Sequence, residues 1–283
     1  MNILIFGASG MLGHTLFRSL SMNKDNTVYG TARNTKGMEG FLSPRIISDL
    51  DITNLSAIDI VFKKLKPEIV INCVGIIKQL PTSEAPLSAI PINALFPHQL
   101  AALSVQYDAK LIHFSTDCVF SGAIGNYSEL DKPDPNDLYS LTKLLGEVDD
   151  GRALNLRTSI IGHELNHSTN SLLEWFLSQS GEVKGFRKAI FSGFPTTQIA
   201  KVLQNYIFPS LDQLNGTYHL SADPINKFEL LNLINAAYQK DIVIEPDDTL
   251  SIDRSLNSSK LRKIIDYAPP SWPDLIAEMK QFG

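Results

Sequence analysis

The stretch that decides the fold stands at the start of the chain: Ile3-Leu-Ile-Phe-Gly-Ala-Ser-Gly-Met-Leu-Gly13. Its four leading apolar residues suit a buried strand, and Leu12, Leu16 and Leu20 then recur at helical spacing. A strand, a glycine turn and a helix in this order predict a dinucleotide-binding unit, because small residues let the backbone approach a pyrophosphate at the helix N-terminus. The residues expected to contact the cofactor here are Gly7, Ser9, Gly10, Met11, Leu12 and Gly13.

Composition narrows the class of protein. The chain has 283 residues, 43% of them hydrophobic and 19% charged, which predicts one globular domain or two closely joined ones. Its net charge of -5, without a long run of either sign, argues against a general nucleic-acid or membrane-surface role. Cys73 and Cys118 are too few for a disulfide framework, and the six histidines show no metal-site spacing. With no apolar run long enough for a membrane span or signal peptide, we expect a cytoplasmic protein.

Short β-branched runs alternate with helical patterns through the first half of the chain. This alternation predicts an α/β fold, a Rossmann-type doubly wound parallel sheet, with strands at 3–6, 27–29, 68–72, 111–114 and 154–157. The pattern then weakens, leaving a helix near 172–178, a strand at 217–220 and a helix near 227–238. We therefore expect a dinucleotide-binding domain over 1–163 and mainly a smaller C-terminal α/β substrate lobe over 164–283, with a segment near 189–222 returning to the first domain.

A basic residue follows the second predicted strand. Arg33 stands where an arginine accommodates the extra phosphate of NADP, so we expect NADPH, with NADH as the other candidate. Asp51 and Ile52 are candidates to face the adenine ring. Two simpler interpretations stay open: Arg33 lies on an exposed loop, and Asp51 caps the helix that begins near Leu55. After the strand at 68–72, the expected cofactor-lining residues are Cys73, Val74 and Gly75.

A tyrosine and a lysine stand four residues apart in a helical stretch, Tyr139-Ser-Leu-Thr-Lys143, and therefore share one helix face. A phenol with a pKa near 10 needs a nearby positive charge to act as an acid or base near neutrality, and Lys143 offers one. The alternative is an ordinary pair on a solvated helix face. Upstream, Ser115-Thr-Asp-Cys118 places hydroxyl groups at the carboxyl end of a predicted strand, which favours a site.

Taken together, the glycine turn, the hydroxyl-bearing strand end and the Tyr/Lys helix resemble the extended short-chain dehydrogenase/reductases. Within that superfamily, four segments are most similar to the dTDP-4-dehydrorhamnose reductases, which reduce the 4-keto group of a nucleotide-linked deoxysugar. They are Ser115-Thr-Asp-Cys-Val-Phe-Ser-Gly122, Asn93-Ala94, Arg157-Thr-Ser159 and Gly193-Phe-Pro-Thr196.

The resemblance assigns roles to individual residues. It implies that Thr116 binds the substrate carbonyl, Tyr139 donates a proton, and Lys143 binds the nicotinamide ribose while hydride passes from NADPH. Asn93 would support the lysine, although an asparagine that caps a helix fits equally well. The implied substrate is a nucleotide-linked 6-deoxysugar for polysaccharide or O-antigen synthesis, and a homodimer through helices of the dinucleotide-binding domain is expected.

Cys118 departs from the pattern, because the reductases usually carry an aromatic residue there. GDP-fucose synthases use a cysteine at this point to epimerise the sugar, and Cys118 with His163 or His167 would then exchange its α-proton. The other interpretation is a buried thiol that fills space. A third alternative is a non-catalytic regulatory subunit similar to the methionine adenosyltransferase β subunit, against which the intact Thr116 and its partners argue.

Substrate recognition requires cationic or amide donors for a diphosphate. The candidates from matching regions of the family are Lys78, Asn170, Ser171 and Arg254, together with Thr116, Asp117 and Cys118 at the strand end. Loop residues that simply face solvent are an equally good interpretation for Lys78, Asn170 and Arg254.

Overall fold

The computed structural model describes residues 1–35, 37–40, 43–165 and 169–283. Its strands are β1 (Asn2–Phe6), β2 (Thr27–Thr31), β3 (Ile46–Ile47), β4 (Ile69–Asn72), β5 (Lys110–Thr116), β6 (Leu154–Thr158), β7 (Ile160–Ile161), β8 (Gly181–Phe191), β9 (Phe194–Pro195), β10 (Gly216–His219), β11 (Ile225–Asn226) and β12 (Ile242–Asp253). Its α-helices are α1 (Met11–Ser21), α2 (Leu55–Leu65), α3 (Pro86–Ala89), α4 (Phe96–Gln106), α5 (Leu138–Leu145), α6 (Leu172–Ser178), α7 (Thr196–Val202), α8 (Lys227–Tyr238), α9 (Ser259–Ile265) and α10 (Trp272–Phe282).

The main sheet has the strand order β10-β6-β5-β4-β1-β2-β3, and every neighbouring pair is parallel. Helices cover both of its faces, so the expected Rossmann-type doubly wound fold is confirmed. The strand order reverses at β1, whose two neighbours are β2 and β4. Ligands of such sheets bind at the carboxyl ends of the strands beside this reversal.

Two hydrophobic clusters pack against the main sheet. One joins Leu16 and Leu20 of α1 to alternate residues of the strands, and the other joins Phe62 of α2 and Phe96 of α4 to the intervening ones. Because successive strand side chains point to opposite faces, these largely buried strands stabilise helices on both sides. Burial on both faces explains why apolar residues dominate the first part of each strand.

A three-stranded sheet of order β11-β8-β12 forms a second layer with α8. Strand β12 pairs with β8 in parallel, and β11 pairs with β8 antiparallel. Between these elements the chain returns to the main sheet, where β10 pairs with β6. The division into domains at residue 163 stays a prediction, but this crossing shows how the C-terminal half reaches the carboxyl edge of the main sheet.

Candidate active site

The turn after β1 has the shape that a pyrophosphate requires. Gly7 has a φ of +86°, a conformation that favours glycine, and its carbonyl accepts the Gly10 N–H at 3.0 Å. A Cβ at Gly13 would stand 2.0 Å from the Gly7 carbonyl oxygen, so only glycine permits this close approach. Gly10 is the N-cap residue of α1. Because it has no side chain, the space at the helix N-terminus stays open and the first helical N–H groups are free of a side-chain cap. The turn therefore fits a dinucleotide phosphate.

A cleft of about 790 Å³ opens at the carboxyl edge of the main sheet and is lined from both halves of the chain. It brings together most of the residues that the sequence singled out. They are Ser9, Gly10, Met11, Leu12, Arg33, Cys73, Val74, Gly75, Lys78, Thr116, Asp117, Cys118, Tyr139, Lys143, Asn170, Ser171 and Arg254.

Five predicted cofactor residues lie outside this lining: Gly7, Gly13, Asp51, Ile52 and Asn93. The two glycines shape the turn, and Ile52 packs against the hydrophobic cluster under α2. Asp51 accepts the Thr53 N–H at 2.9 Å and its hydroxyl at 2.8 Å, and these bonds lower the pKa of Asp51, with Arg33 adding to the effect. The adenine contact of Asp51 and Ile52 stays a prediction.

Asn54, not Asp51, caps α2. Its side chain accepts the Ala57 N–H at 3.1 Å, so the alternative that made Asp51 the cap is wrong. The reason is local: Asp51 closes a turn with Thr53 and points away from the first helical N–H groups. Arg33 is exposed at the cleft and forms no ion pair within the described ranges, so its charge is available to a ligand.

Lys143 is buried and donates to the Phe114 carbonyl of β5 at 2.6 Å. Burial lowers the pKa of Lys143 to about 8, while Glu147 and Cys73 act to raise it. A lysine in this state still carries its charge near neutrality, and it holds that charge at a fixed point at the end of β5. The action of this charge on Tyr139 stays a prediction.

Tyr139 is half-buried on α5, one turn before Lys143. Burial raises the pKa of Tyr139, Cys118 raises it further, and a hydrogen bond with Thr116 lowers it. The phenol is therefore protonated in the free protein and can act as a proton donor. Asp137 fixes the start of the helix, since its side chain accepts the Ser140 N–H at 2.7 Å.

Thr116 ends β5 beside the phenol. Its hydroxyl accepts the Cys118 N–H at 3.1 Å and donates to Asp117 at 3.3 Å. These bonds fix the hydroxyl oxygen at the rim of the cleft. Thr116, Tyr139 and Lys143 thus line one cleft, and the hydroxyl groups of Thr116 and Tyr139 lie within hydrogen-bond reach of each other.

Asn93 lies in a π-helical turn, Ile90–Leu95, and caps no helix, so the capping alternative is wrong. Its side chain accepts the Ile76 N–H at 2.8 Å and donates to the Ile76 carbonyl at 3.1 Å and to Thr142 at 3.3 Å. Asn93 therefore ties the cleft loop after β4 to the helix that carries Tyr139. Its proposed support of the lysine stays a prediction.

Cys118 is poorly suited to remove a proton from a sugar. Burial raises the pKa of its thiol to about 12, with Asp117 contributing, although Arg254 opposes the shift. His163 already engages Glu174 at 3.0 Å and the Tyr238 hydroxyl at 2.8 Å through its two ring nitrogens. His167 lies outside the described residues. These contacts favour the interpretation of Cys118 as a buried, space-filling thiol.

The substrate candidates differ in their contacts. Lys78 forms an ion pair with Asp137 at 2.6 Å, linking the loop after β4 to the N-terminus of α5. Ser171 caps α6 by accepting the Glu174 N–H at 3.3 Å, and Asn170 lines the cleft beside it. Arg254 follows β12 and donates from Nε to the Phe120 carbonyl at 2.8 Å.

Sequence reasoning missed two features of the cleft. Lys227, the first residue of α8, lines it opposite the end of β5, and no motif marks this lysine. Glu147 accepts from Ser115 and forms a bidentate pair with Arg157 behind the site. Glu147 lies just beyond the end of α5, so helical spacing from Lys143 gave no signal for it.

Two kinds of feature are absent from the described residues. They contain no group of three or more His, Cys, Asp or Glu side chains placed to hold a metal ion. None of their helices has both the length and the apolar character needed to cross a membrane.

A doubly wound parallel sheet, a glycine turn at its central strand and a Tyr139/Lys143 pair beside a strand-end hydroxyl define the extended short-chain dehydrogenase/reductases. Comparison places the chain further: it belongs to the family of the RmlD substrate binding domain, whose model matches residues 1–279. The family resemblance expected from the sequence motifs is confirmed.

Three relatives illustrate the match. A dTDP-4-dehydrorhamnose reductase of Aggregatibacter actinomycetemcomitans is 25% identical over 78% of this chain and 74% of its own. The methionine adenosyltransferase 2 subunit beta of Danio rerio is 27% identical over 83% and 73%. A dTDP-4-dehydrorhamnose reductase of Bacillus anthracis, solved in complex with NADP, shares the fold with a TM-score of 0.81 at 24% identity, covering 99% and 98%. For several other curated relatives, the chain spans about half of their length.

Proposed function

We propose that this protein is an NADPH-dependent reductase of the 4-keto group of a nucleotide-linked 6-deoxysugar. The observation that carries the proposal is the meeting of Thr116, Tyr139 and Lys143 at the end of β5, in one cleft with the glycine turn. The activity named for the Aggregatibacter relative supports the same assignment. Synthesis of a polysaccharide or O-antigen sugar is the process that such a product would serve.

The residues of the cleft fit a bound NADPH. The approach of Gly13 to Gly7 leaves the helix start open to a pyrophosphate, and Arg33 supplies a cation after β2 for a ribose phosphate. When bound, the cofactor supplies hydride to the keto carbon. The choice of NADPH over NADH rests on Arg33, whose exposed guanidinium lines the cleft and can pair with a ribose phosphate.

The chain's own groups would assist the reduction as follows. Thr116 turns its hydroxyl hydrogen from Asp117 to the keto oxygen, Tyr139 donates a second hydrogen bond to it, and together they hold the carbonyl at a fixed angle. As negative charge develops on that oxygen, Tyr139 releases its phenolic proton to it. Lys143, anchored on the Phe114 carbonyl, stabilises the phenolate that remains. The phenol begins protonated because burial raises its pKa, which is the state that a proton donor needs.

The proposal extends to partners and location. The substrate is a nucleotide sugar rather than a nucleic acid, in keeping with the net charge of -5. A homodimer through helices of the dinucleotide-binding half is supported by the exposed Leu95, Leu141 and Leu145 on neighbouring elements. Two unpaired cysteines fit the reducing cytoplasm.

The test is a panel of dTDP-, UDP- and GDP-linked 4-ketosugars, with NADPH oxidation followed by absorbance. We expect one of them to be reduced, and Tyr139→Phe to lower turnover by on the order of 10² to 10⁴ while NADPH binding persists. Tyr107→Phe is the matched control, because Tyr107 donates to Asp59 away from the cleft. An unchanged rate in Tyr139→Phe would exclude this mechanism.

The methionine adenosyltransferase relatives mark the other outcome. Binding of NADPH without oxidation by any 4-ketosugar in the panel would favour a non-catalytic subunit. The meeting of all three catalytic groups in one cleft argues for reduction instead, since a purely structural role requires none of them.

A further inference from the structure

Lys227 brings a positive charge from the C-terminal half into the cleft. It is the first residue of α8. Asn226 caps this helix, because its side chain accepts the Glu229 N–H at 2.8 Å. The lysine lines the cleft together with Arg254, and both cations act on Asp117 and Cys118. Those two residues directly follow Thr116, so the two cations face the substrate end of the cleft.

Neither cation forms an ion pair with a carboxylate in the described part of the chain. Lys227 forms no hydrogen bond or ion pair with the residues that the structure describes. Arg254 donates to the Phe120 carbonyl at 2.8 Å and to the Cys118 sulfur at 3.7 Å, and neither acceptor is a carboxylate. Lys78 on the same cleft shows the contrast, since it is paired with Asp137 at 2.6 Å.

Asp117 faces both cations, and Asp134 also acts on Arg254. Burial raises the pKa of Asp117, although Arg254 and Lys227 act in the opposite direction. Burial also lowers the pKa of Lys227, because its ammonium loses water without gaining a full counter-charge. An anionic ligand beside Lys227 would favour its charged form and raise its pKa again.

We propose that Lys227, together with Arg254, binds an anionic group of the nucleotide sugar beside the reacting carbonyl, and that Lys227 selects substrates carrying it. The inference rests on the proposed function, which supplies the nucleotide sugar. Two sources share this chemistry: the diphosphate and a carboxylate on the sugar. The phosphates of the cofactor are expected elsewhere, at the turn between Gly7 and Gly13.

The test measures binding by calorimetry with NADPH present, so that it does not depend on turnover. The probes are the mononucleotides and diphosphates of thymidine and uridine, with the glucose and glucuronate derivatives of each diphosphate. Lys227→Met should weaken the probe that carries the recognised anion about 10- to 100-fold, and Lys227→Arg should restore most of it. Lys188→Met is the matched control, because Lys188 is exposed on β8 of the same lobe, outside the cleft lining.

The probes separate the two sources. A loss seen with every diphosphate but not with the mononucleotides assigns Lys227 to the diphosphate. A loss confined to the glucuronate derivatives assigns it to a sugar carboxylate. Both outcomes support the proposal, with the dissociation constant of NADPH unchanged as evidence that the variant is folded.

Equal affinities of Lys227→Met and the wild type for every probe would overturn the proposal, and so would a wild type that binds none of them. The proposed reductase activity is tested separately, by NADPH oxidation with a 4-ketosugar. A protein that loses diphosphate binding in Lys227→Met yet reduces no ketosugar would retain the anion site and lose the proposed activity.

Discussion

Glu147 connects the charge of Lys143 to the end of β5. Its carboxylate accepts from Arg157 at 2.8 Å through both Nε and Nη2, and from the Ser115 hydroxyl at 2.7 Å. Ser115 stands between Phe114, whose carbonyl binds Lys143, and Thr116, whose hydroxyl meets the phenol. A single buried carboxylate thus holds the strand that carries the two contacts of the site.

We predict that Glu147→Gln shifts the pH dependence of reduction. Of the charged groups that act on Lys143, Glu147 raises its pKa and so does Cys73, whereas burial lowers it to about 8; the buried His113 is the other titratable group that interacts with the lysine. Without the carboxylate the pKa of Lys143 falls further, so the lysine loses its proton at a lower pH. The alkaline limb of kcat/KM, measured from pH 6 to 9, should move down by about one unit.

Ser115→Ala is the control for this shift. It removes the hydrogen bond to Glu147 and keeps the charge, so a rate change without a shifted limb is expected. A Glu147→Gln enzyme with reduced activity but an unchanged pH profile would show that the carboxylate acts through structure alone. The profile is the decisive measurement, because leaving Arg157 buried without its partner also lowers stability.

Single residues show where sequence reasoning succeeds. Tyr139 and Lys143 could be predicted from the sequence because they stand four residues apart on one helix. Thr116 could be predicted because it ends an apolar run. The partners of Glu147 could not be predicted from the sequence, because Arg157 comes close to it only through the pairing of β5 with β6. Lys227 carries no local signal at all, because only the return of the C-terminal lobe brings it to the cleft.

At the scale of elements, the turn from β1 to α1 depends on one close approach. A Cβ at Gly13 would lie 2.0 Å from the Gly7 carbonyl oxygen and 3.1 Å from the Ala8 Cα, both of them backbone atoms. Backbone cannot yield as a flexible side chain does, so the helix would have to move away from the strand. The cofactor turn and the packing of α1 are therefore coupled.

Gly13→Ala should accordingly weaken NADPH binding by at least tenfold and lower the free energy of unfolding by about 1–3 kcal/mol, the usual cost of overpacking. Fluorescence titration with NADPH and urea unfolding measure the two effects. Gly40→Ala provides the matched control, because no atom of the residues that the structure describes lies within 4 Å of a Cβ there. Wild-type affinity in Gly13→Ala would mean that the turn does not form the cofactor site.

Elements with one dominant pattern were predicted well. The helices at 172–178 and 227–238 occupy the predicted residues, and the main strands differ from their predicted bounds only at the ends. The π-helical turn Ile90–Leu95 was not predictable, because its form follows from Asn93 binding Ile76, a residue 17 positions away. Local periodicity carries no information on such a contact.

At the scale of the whole molecule, the two ends of the chain are packed together. Helix α1 contacts α7, and the Thr15 and Thr196 hydroxyl oxygens stand 3.0 Å apart. The Arg18 guanidinium lies 4.2 Å from the ring centre of Phe282 near the C-terminus. These contacts make the dinucleotide-binding half depend on the last helix, so a buried group on α1 reports on the stability of both halves.

His14 is such a group, and it sets an acid limit on stability. It is 1% exposed, and burial lowers its pKa to about 4, with Arg18 and His163 also disfavouring its charge and a bond to the Gly10 carbonyl opposing the shift. Between pH 6.5 and pH 4, His14 therefore binds a proton in the unfolded chain but not in the folded protein. The free energy of unfolding should fall as pH drops through this window, by up to about 3 kcal/mol from this residue, and none of the loss occurs above it.

His14→Gln isolates this contribution from the other titrating groups. Its side chain stays neutral, so its free energy of unfolding, measured by urea at pH 7.5, 6 and 5, should decline less steeply than that of the wild type. Any stability that the substitution itself costs at pH 7.5 cancels, because the comparison is between slopes. Parallel declines in the two proteins would show that His14 takes up its proton as readily in the folded state as in the unfolded chain, and would place the acid sensitivity in other groups such as the buried His113.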